Sequence, residues 1–121
     1  VRMFLDKKLT DARYFGMGPQ ESYRDKHQAA SHGLYRANVG DLHEDYIRPQ
    51  ENGSHYDCEY VELNNSRYGI VVSAENAFSF NASYALNGIG SNSCGPVVLE
   101  QYRFDDALFR FQFTLVPYVK G

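Results

Sequence analysis

The stretch LFRFQFTLVPY, Leu108 to Tyr118, alternates apolar and polar residues along most of its length. Because successive side chains of a β-strand point to opposite faces, this period of two predicts a strand with one apolar face. Pro117 has no backbone N–H and therefore fits only near a strand end or on a sheet edge. The predicted apolar face carries Phe109, Phe111, Phe113 and Leu115.

Other stretches extend this pattern into a sheet. The residues DDA (105–107) predict a turn, and VVLEQYRF (Val97 to Phe104) predicts a strand that forms a hairpin with the first one. ARYFG, HYDCEYVEL, RYGIVVSA and NAFSFNAS predict further strands, six or seven in total, and no stretch has the pattern of an amphipathic helix. Aromatic residues make up 15% of the chain, which suits half-buried pleated surfaces. The fold class predicted is all-β, an antiparallel β-sandwich.

Within HYDCEYVEL, strict alternation assigns Cys58 to the same face as its neighbouring tyrosines. Val61 and Leu63 then lie on the opposite face. In NAFSFNAS the same rule places Phe78 and Phe80 on one side.

The length, net charge and cysteine count of the chain limit the classes of protein to which it can belong. With 121 residues the chain is predicted to be a single domain, 1–121, and a net charge of −3 gives no support for nucleic-acid binding. No apolar run approaches the roughly 18 residues that suggest a membrane span. The opening VRMFLDKKLT lacks the features of a signal peptide. Two cysteines could form one bridge, but a pair of reduced thiols in a cytosolic protein is the favoured interpretation.

The region from Met17 to Gly53 shows little regular pattern. A structureless stretch of this length is unusual inside a complete compact domain. Several large apolar side chains lie within it, which is unlike a solvated tail. We therefore expect an extended arm laid over a surface, part of which is missing from this chain.

The loop GIGSNSCGP, Gly88 to Pro96, contains three glycines, a proline and several small polar residues. Glycine permits unusual backbone angles, and Ser and Asn bond to nearby backbone, so a shaped loop is predicted. Cys94 lies in this loop, where binding groups often occur. No base or positive neighbour that would activate its thiol is evident, which argues against a nucleophilic role.

Four motifs in this order carry a resemblance to a known family: GMGPQESYRDK, YIRPQENG, FSFNAS and NGIGSNSCGP. The chain resembles the C-terminal domain of family 2 β-galactosidases, the small chain of enzymes that are split in two. The closing QYRFDDALFRFQFTL continues the likeness. The resemblance implies a galactose-mutarotase-like supersandwich, of which this chain is the C-terminal portion.

The same resemblance implies that the catalytic residues lie in another part of the enzyme. In the family both catalytic glutamates come from a (β/α)₈ barrel, which needs about 250 residues and cannot lie within this chain. Hydrolysis with retention, and the Mg²⁺ and Na⁺ of the enzyme, are therefore expected in the remainder of the protein, with no cofactor in this chain. Implied partners are that remainder or a separate large subunit, a galactoside, and further subunits of an oligomer.

The loop of the family that corresponds to Gly88–Pro96 reaches the rim of the active site. The resemblance therefore implies a substrate-binding role for Cys94 as part of the wall of the aglycone subsite, with Asn92 and Ser93 supplying hydrogen bonds. The alternative is that Cys94 is a packing residue that fixes the loop.

One departure from the family lies between FSFNAS and NGIG. Family members carry an additional segment there, whereas Ser83 is followed directly by Tyr84 in this chain. We expect either a natural deletion at this junction or residues absent from the sequence.

Two glutamates, Glu21 and Glu51, lie in matching motifs and could be read as an acid/base pair. The favoured interpretation is that they bond to nearby backbone and hold the arm in place.

Two alternatives for the whole chain are a carbohydrate-binding module and a purely structural or oligomer-forming sandwich. The absence of Trp argues against the module.

Overall fold

The computed structural model describes residues 4–43, 46–47, 52–79, 99–103, 105 and 107–121. They form one antiparallel sheet with the strand order β2-β1-β3-β4-β5. The predicted all-β antiparallel class is thus confirmed, and the described residues contain no α-helix. The strands are β1 (Asp11–Gly18), β2 (Ser31–Asn38), β3 (Cys58–Asn64), β4 (Tyr68–Phe78) and β5 (Phe113–Val119), and 3₁₀ turns span Val39–Leu42 and Glu100–Tyr102.

The sheet has a buried face, called the core face, and a partly exposed one, called the open face. Along β1 the buried residues alternate with partly exposed ones. Tyr14 is paired with Val61 of β3, which in turn is paired with Val72 of β4. All three belong to the core, so the period of two in these strands directly builds the hydrophobic layer. The core cluster consists of Tyr14, Cys58, Val61, Val72 and Phe78.

The predicted separation of Cys58 from Val61 is wrong. The β3–β4 register shifts between Cys58 and Tyr60, so strict alternation fails at the start of β3. Cys58 therefore joins Val61 in the core cluster and is fully buried. Its neighbour on β1 is Gly16, where an added Cβ would lie 2.5 Å from the Cys58 sulfur. The absence of a side chain at Gly16 makes this close approach sterically feasible.

The strand at the end of the chain begins later than predicted, at Phe113 rather than Leu108. The predicted hairpin with 97–104 is also wrong, because β5 pairs with β4 and the described part of that stretch contains a 3₁₀ turn at Glu100–Tyr102. β4 is long and apolar, and its Val72 is paired with Leu115 of β5. The expectation for Pro117 holds, since β5 is an edge strand of the described sheet.

The stretch taken as irregular contains a complete strand. β2 pairs with β1 along all eight of its residues. Its core-side positions are Gly33, Tyr35 and Ala37, and their mixture of sizes weakens the apolar alternation on which the prediction depended. At the end of β2 the Asn38 side chain accepts the Gly40 N–H at 3.0 Å and caps the following 3₁₀ turn.

Replacing Gly16 by alanine tests the close packing of β1 against Cys58. We expect Gly16→Ala to lower the free energy of unfolding by roughly 2 kcal/mol, because the new methyl group overpacks the core. Gly33→Ala on β2 is the control, since its added Cβ would meet only ordinary contacts of 3.4 Å and longer. Urea denaturation of both variants measures the difference, and equal stability of the two would contradict the packing assignment.

Candidate functional site

The predicted substrate-binding residues Asn92, Ser93 and Cys94 lie outside the described residues, as does the Ser83–Tyr84 junction. Their roles stay predictions. Described residues lie on either side of them, and the strands that flank this region are β4, which ends at Phe78, and β5, which begins at Phe113. Cys58 is paired with Phe78, and Phe113 with Ala74, so both points lie toward the same end of the sheet. Gly18 and Ser31 are paired at that end of β1 and β2.

At this end of the sheet the chain segments 19–30 and 52–57 are joined to each other by backbone hydrogen bonds. The Ser22 N–H donates to Ser54 O at 2.7 Å, and the Met17 N–H donates to Tyr56 O at 3.0 Å. The Ser22 hydroxyl adds a further link because it accepts the Tyr56 N–H at 2.9 Å and donates to Met17 O. Ser22 and Ser54 are both buried, so these bonds are shielded from competing water.

Glu21 is buried among these segments and links them through its carboxylate. One oxygen accepts from Lys26 Nζ at 2.7 Å, and the other accepts from the Gly53 N–H at 3.0 Å and from the Tyr23 hydroxyl. The bond to Gly53 joins the GPQE motif to the ENG motif. The interpretation that Glu21 bonds to nearby backbone and holds the arm is therefore confirmed. Glu51 lies outside the described residues.

Lys26 continues this network toward the surface. Its Nζ also donates to the Tyr46 hydroxyl at 2.6 Å and lies 5.2 Å from the centre of the Tyr46 ring. Backbone bonds in both directions between Tyr23 and Lys26 hold the intervening turn closed. With both oxygens of its carboxylate engaged by donors, Glu21 serves as a structural acceptor. We call Glu21, Tyr23, Lys26, Tyr46 and Gly53 the Glu21 cluster.

A buried histidine lies between this cluster and the sheet. The His55 ring is 4.5 Å from the Tyr14 ring, and His55 Nδ1 donates to Met17 O at 3.3 Å. Burial lowers the pKa of His55, although the bond to Met17 and the charge of Glu21 act in the opposite direction. The neutral imidazole thus packs as a flat, partly apolar layer over Tyr14.

Cys58 is a free thiol in this same region, and its chemistry is that of a packing residue. Burial, aided by the charge of Asp57, raises the pKa of Cys58 to about 12. A thiolate is the nucleophilic form, so the buried thiol is inert near neutral pH.

Among the described residues, no group of three or more His, Cys, Asp or Glu side chains could hold a metal ion. No helix among them is long and apolar enough to cross a membrane.

The core face is incompletely covered along β5. Leu115 and Val119 point to this face and are 37% and 82% exposed. Leu108 and Phe109, just before the strand, are 85% and 49% exposed. Large apolar side chains exposed along an edge strand are typical of a surface that another part of the protein covers. The sequence pattern placed Phe109 and Leu115 on the apolar face of the predicted strand, and it did not assign Leu108 or Val119 to that face.

Comparison with known proteins assigns the chain to a family. The family model described as β-galactosidase small chain matches residues 1–86. The chain is 39% identical to a β-galactosidase of Actinobacillus pleuropneumoniae over 96% of its length, and 34% identical to one of Staphylococcus xylosus over 92%. A β-galactosidase of Kluyveromyces lactis is 32% identical over 84% of the chain. The chain spans only 14%, 14% and 12% of these three relatives.

The alignments also show a difference in length. The alignment with the Actinobacillus protein runs over 143 positions, whereas this chain has only 121 residues. The relative therefore carries residues inside the matched region that have no counterpart here. Their placement at Ser83–Tyr84 stays a prediction.

The buried imidazole of His55 predicts a pH dependence of stability. Its folded pKa lies below the ordinary value of 6.5, so the unfolded chain binds more protons when the pH falls below that value. The contribution of His55 is thus fully present above pH 6.5 and is lost as the pH falls toward the folded pKa. His55→Asn removes the titration and retains a donor for Met17 O.

We expect the wild-type chain to lose up to about 1.4 kcal/mol more stability than His55→Asn for each pH unit below that point. Thermal melting of both proteins at about pH 7.5 and about pH 5.5 measures this difference. Parallel pH profiles of the two proteins would show that His55 is not buried in its neutral form.

Proposed function

The chain belongs to the β-galactosidase small chain family, and we propose that it is the non-catalytic sandwich portion of a larger β-galactosidase. The observation that carries this proposal is the match over residues 1–86, together with relatives named β-galactosidase of which the chain spans about a seventh. The enzyme as a whole hydrolyses terminal β-galactosides, and this chain acts by packing against the part that does the chemistry.

The exposed apolar residues along β5 support a particular contact surface. We call Leu108, Phe109, Leu115 and Val119 the β5 patch. Burial of a valine or leucine side chain contributes roughly 1.5–3 kcal/mol, so covering these residues would supply substantial association energy. The remainder of the enzyme is the occupant of this surface, since most of the length of the relatives lies outside the chain.

The finer features of the function follow from the family. The catalytic glutamates of a retaining mechanism lie in a barrel in the remainder of the enzyme, as do Mg²⁺ and Na⁺. The loop Gly88–Pro96 extends toward the galactoside, with Cys94 forming part of the aglycone wall and Asn92 and Ser93 hydrogen bonding to the substrate. The enzyme is a bacterial cytoplasmic oligomer. The described residues contribute the sheet end from which the chain toward this loop departs.

Complementation tests the proposal. The chain is titrated into the remaining part of its β-galactosidase, and hydrolysis of a chromogenic galactoside is measured. We expect no hydrolysis by the chain alone and saturable activity in the mixture. Val119→Asp should weaken the association about tenfold, because a charge enters the apolar contact.

Val116→Asp is the matched control. Val116 is on the same strand and 52% exposed, but it points to the open face. Val116→Asp should leave the association of the chain with the rest of the enzyme unchanged. Hydrolysis by the chain alone would contradict the proposed non-catalytic role. Equal effects of Val119→Asp and Val116→Asp on association would contradict the proposed contact surface.

A further inference from the structure

The open face of the sheet carries a row of charged side chains that the packing role does not use. Arg13 on β1 is directly opposite Arg36 on β2, and on its other side it is directly opposite Glu62 on β3. In the adjacent row Asp11 is opposite Asn64. Like charges directly opposite one another in a sheet are destabilising, so the Arg13–Arg36 pair requires a physical explanation.

Glu62 compensates only one of the two arginines. Arg13 Nε lies 2.7 Å from one Glu62 oxygen, and the Tyr118 hydroxyl donates to the other. The Glu62 side chain is only 12% exposed, so this arrangement is well ordered. Arg36 is on the far side of Arg13, about 10 Å from the Glu62 strand at the usual strand spacing. Glu62 therefore cannot serve both guanidinium groups.

Neither Arg36 nor Lys120 has a carboxylate partner within the part of the chain that the structure describes. Arg36 makes no ion pair with any residue that the structure describes. Lys120 donates to Asn64 Oδ1 at 2.8 Å and to Asn65 O at 2.7 Å, both of which are neutral oxygens. The turn after β3 thus fixes the Lys120 ammonium group at the end of the sheet without neutralising its charge.

These groups surround a cleft of about 500 Å³. This volume is within the range of small-ligand sites, about 300–1,000 Å³. Three cations and two carboxylates line the cleft, and one carboxylate is already committed to Arg13 and Tyr118. Its charged and amide side chains are Asp11, Arg13, Arg36, Glu62, Asn64 and Lys120.

We propose that this cleft binds the oxyanion group of a small ligand, a phosphate or a carboxylate, between Arg13 and Arg36. An oxyanion placed there turns the like-charge pair into two charge-assisted interactions, which a planar guanidinium forms in bidentate geometry. Lys120 adds to the positive potential at the far side of Glu62. Asp11 disfavours a second anionic group at its own end, so the ligand presents one anion and a neutral remainder.

The cleft is separate from the β5 patch. Its charged side chains point to the open face, whereas Leu115 and Val119 point to the core face. A ligand in the cleft therefore does not compete with the rest of the enzyme for that patch. Failure of anion binding and failure of complementation are consequently independent results.

Titration of the chain with inorganic phosphate and with acetate, a monocarboxylate, tests this site. Binding is followed by NMR shifts of the β1 and β2 amides, with chloride added to keep the ionic strength constant. We expect saturable binding of at least one anion, and Arg36→Gln should weaken it about tenfold through loss of a charge-assisted pair. Tighter binding of phosphate assigns the site to a phosphoryl group, and tighter binding of acetate assigns it to a carboxylate.

Arg110→Gln is the matched control, because it removes the same charge at an exposed position that does not line the cleft. It should leave the affinity unchanged. Arg36→Lys, which keeps the charge but loses the fork, should weaken binding less than Arg36→Gln. Shifts that do not saturate, equal losses in Arg36→Gln and Arg110→Gln, or displacement of the anion by neutral galactose would overturn the proposal.

Discussion

The contact between Gly16 and Cys58 is the constraint on which the described structure depends. Because Gly16 has no side chain, the start of β3 can approach β1 closely and Cys58 enters the core. The residues immediately before Cys58 are then directed back across the end of β1. This direction places His55 over Tyr14 and brings the Gly53 N–H to the carboxylate of Glu21. One close backbone approach thus connects the sheet core to the arm that covers it.

The sequence could predict the strands whose side chains alternate clearly, and it could not predict those that depend on contacts made elsewhere. The latter part of β5 is rich in β-branched and aromatic residues and was located from pattern alone. β4 was located only in part, because RYGIVVSA and NAFSFNAS were predicted as separate strands, whereas Tyr68–Phe78 is one continuous strand. β2 was missed because Gly33 and Ala37 are small residues that give a weak apolar signal. The partner of β5 was wrongly assigned because proximity in sequence favoured 97–104, whereas the longer apolar strand β4 provides the pairing. The position of Cys58 depends on a register shift that strict alternation does not contain.

The candidate sites show the same division. A bond from Glu21 to backbone was expected, but its partner Gly53 was not, and neither were the roles of Tyr23, Lys26 and Tyr46. Gly53 and Tyr46 are far from Glu21 and Lys26 in sequence, so only the folded chain brings them together. The opposition of Arg13 and Arg36 likewise required the register of β2, the strand that sequence reasoning missed. The two faces of the sheet consequently have different uses. The core face needs a further covering element along β5, and the open face presents a charged cleft to solvent.

We expect the remainder of a β-galactosidase to cover the β5 patch and so to shield this edge of the sheet from solvent. Hydrogen–deuterium exchange of the β5 amides, Phe113–Val119, measured with and without that remainder, tests it most directly. The account predicts that exchange in β5 slows by about tenfold or more on assembly, while β1, already paired on both sides, changes little. Exchange in β5 that is as slow in the isolated chain as in β1, or unaffected by the remainder of the enzyme, would contradict it.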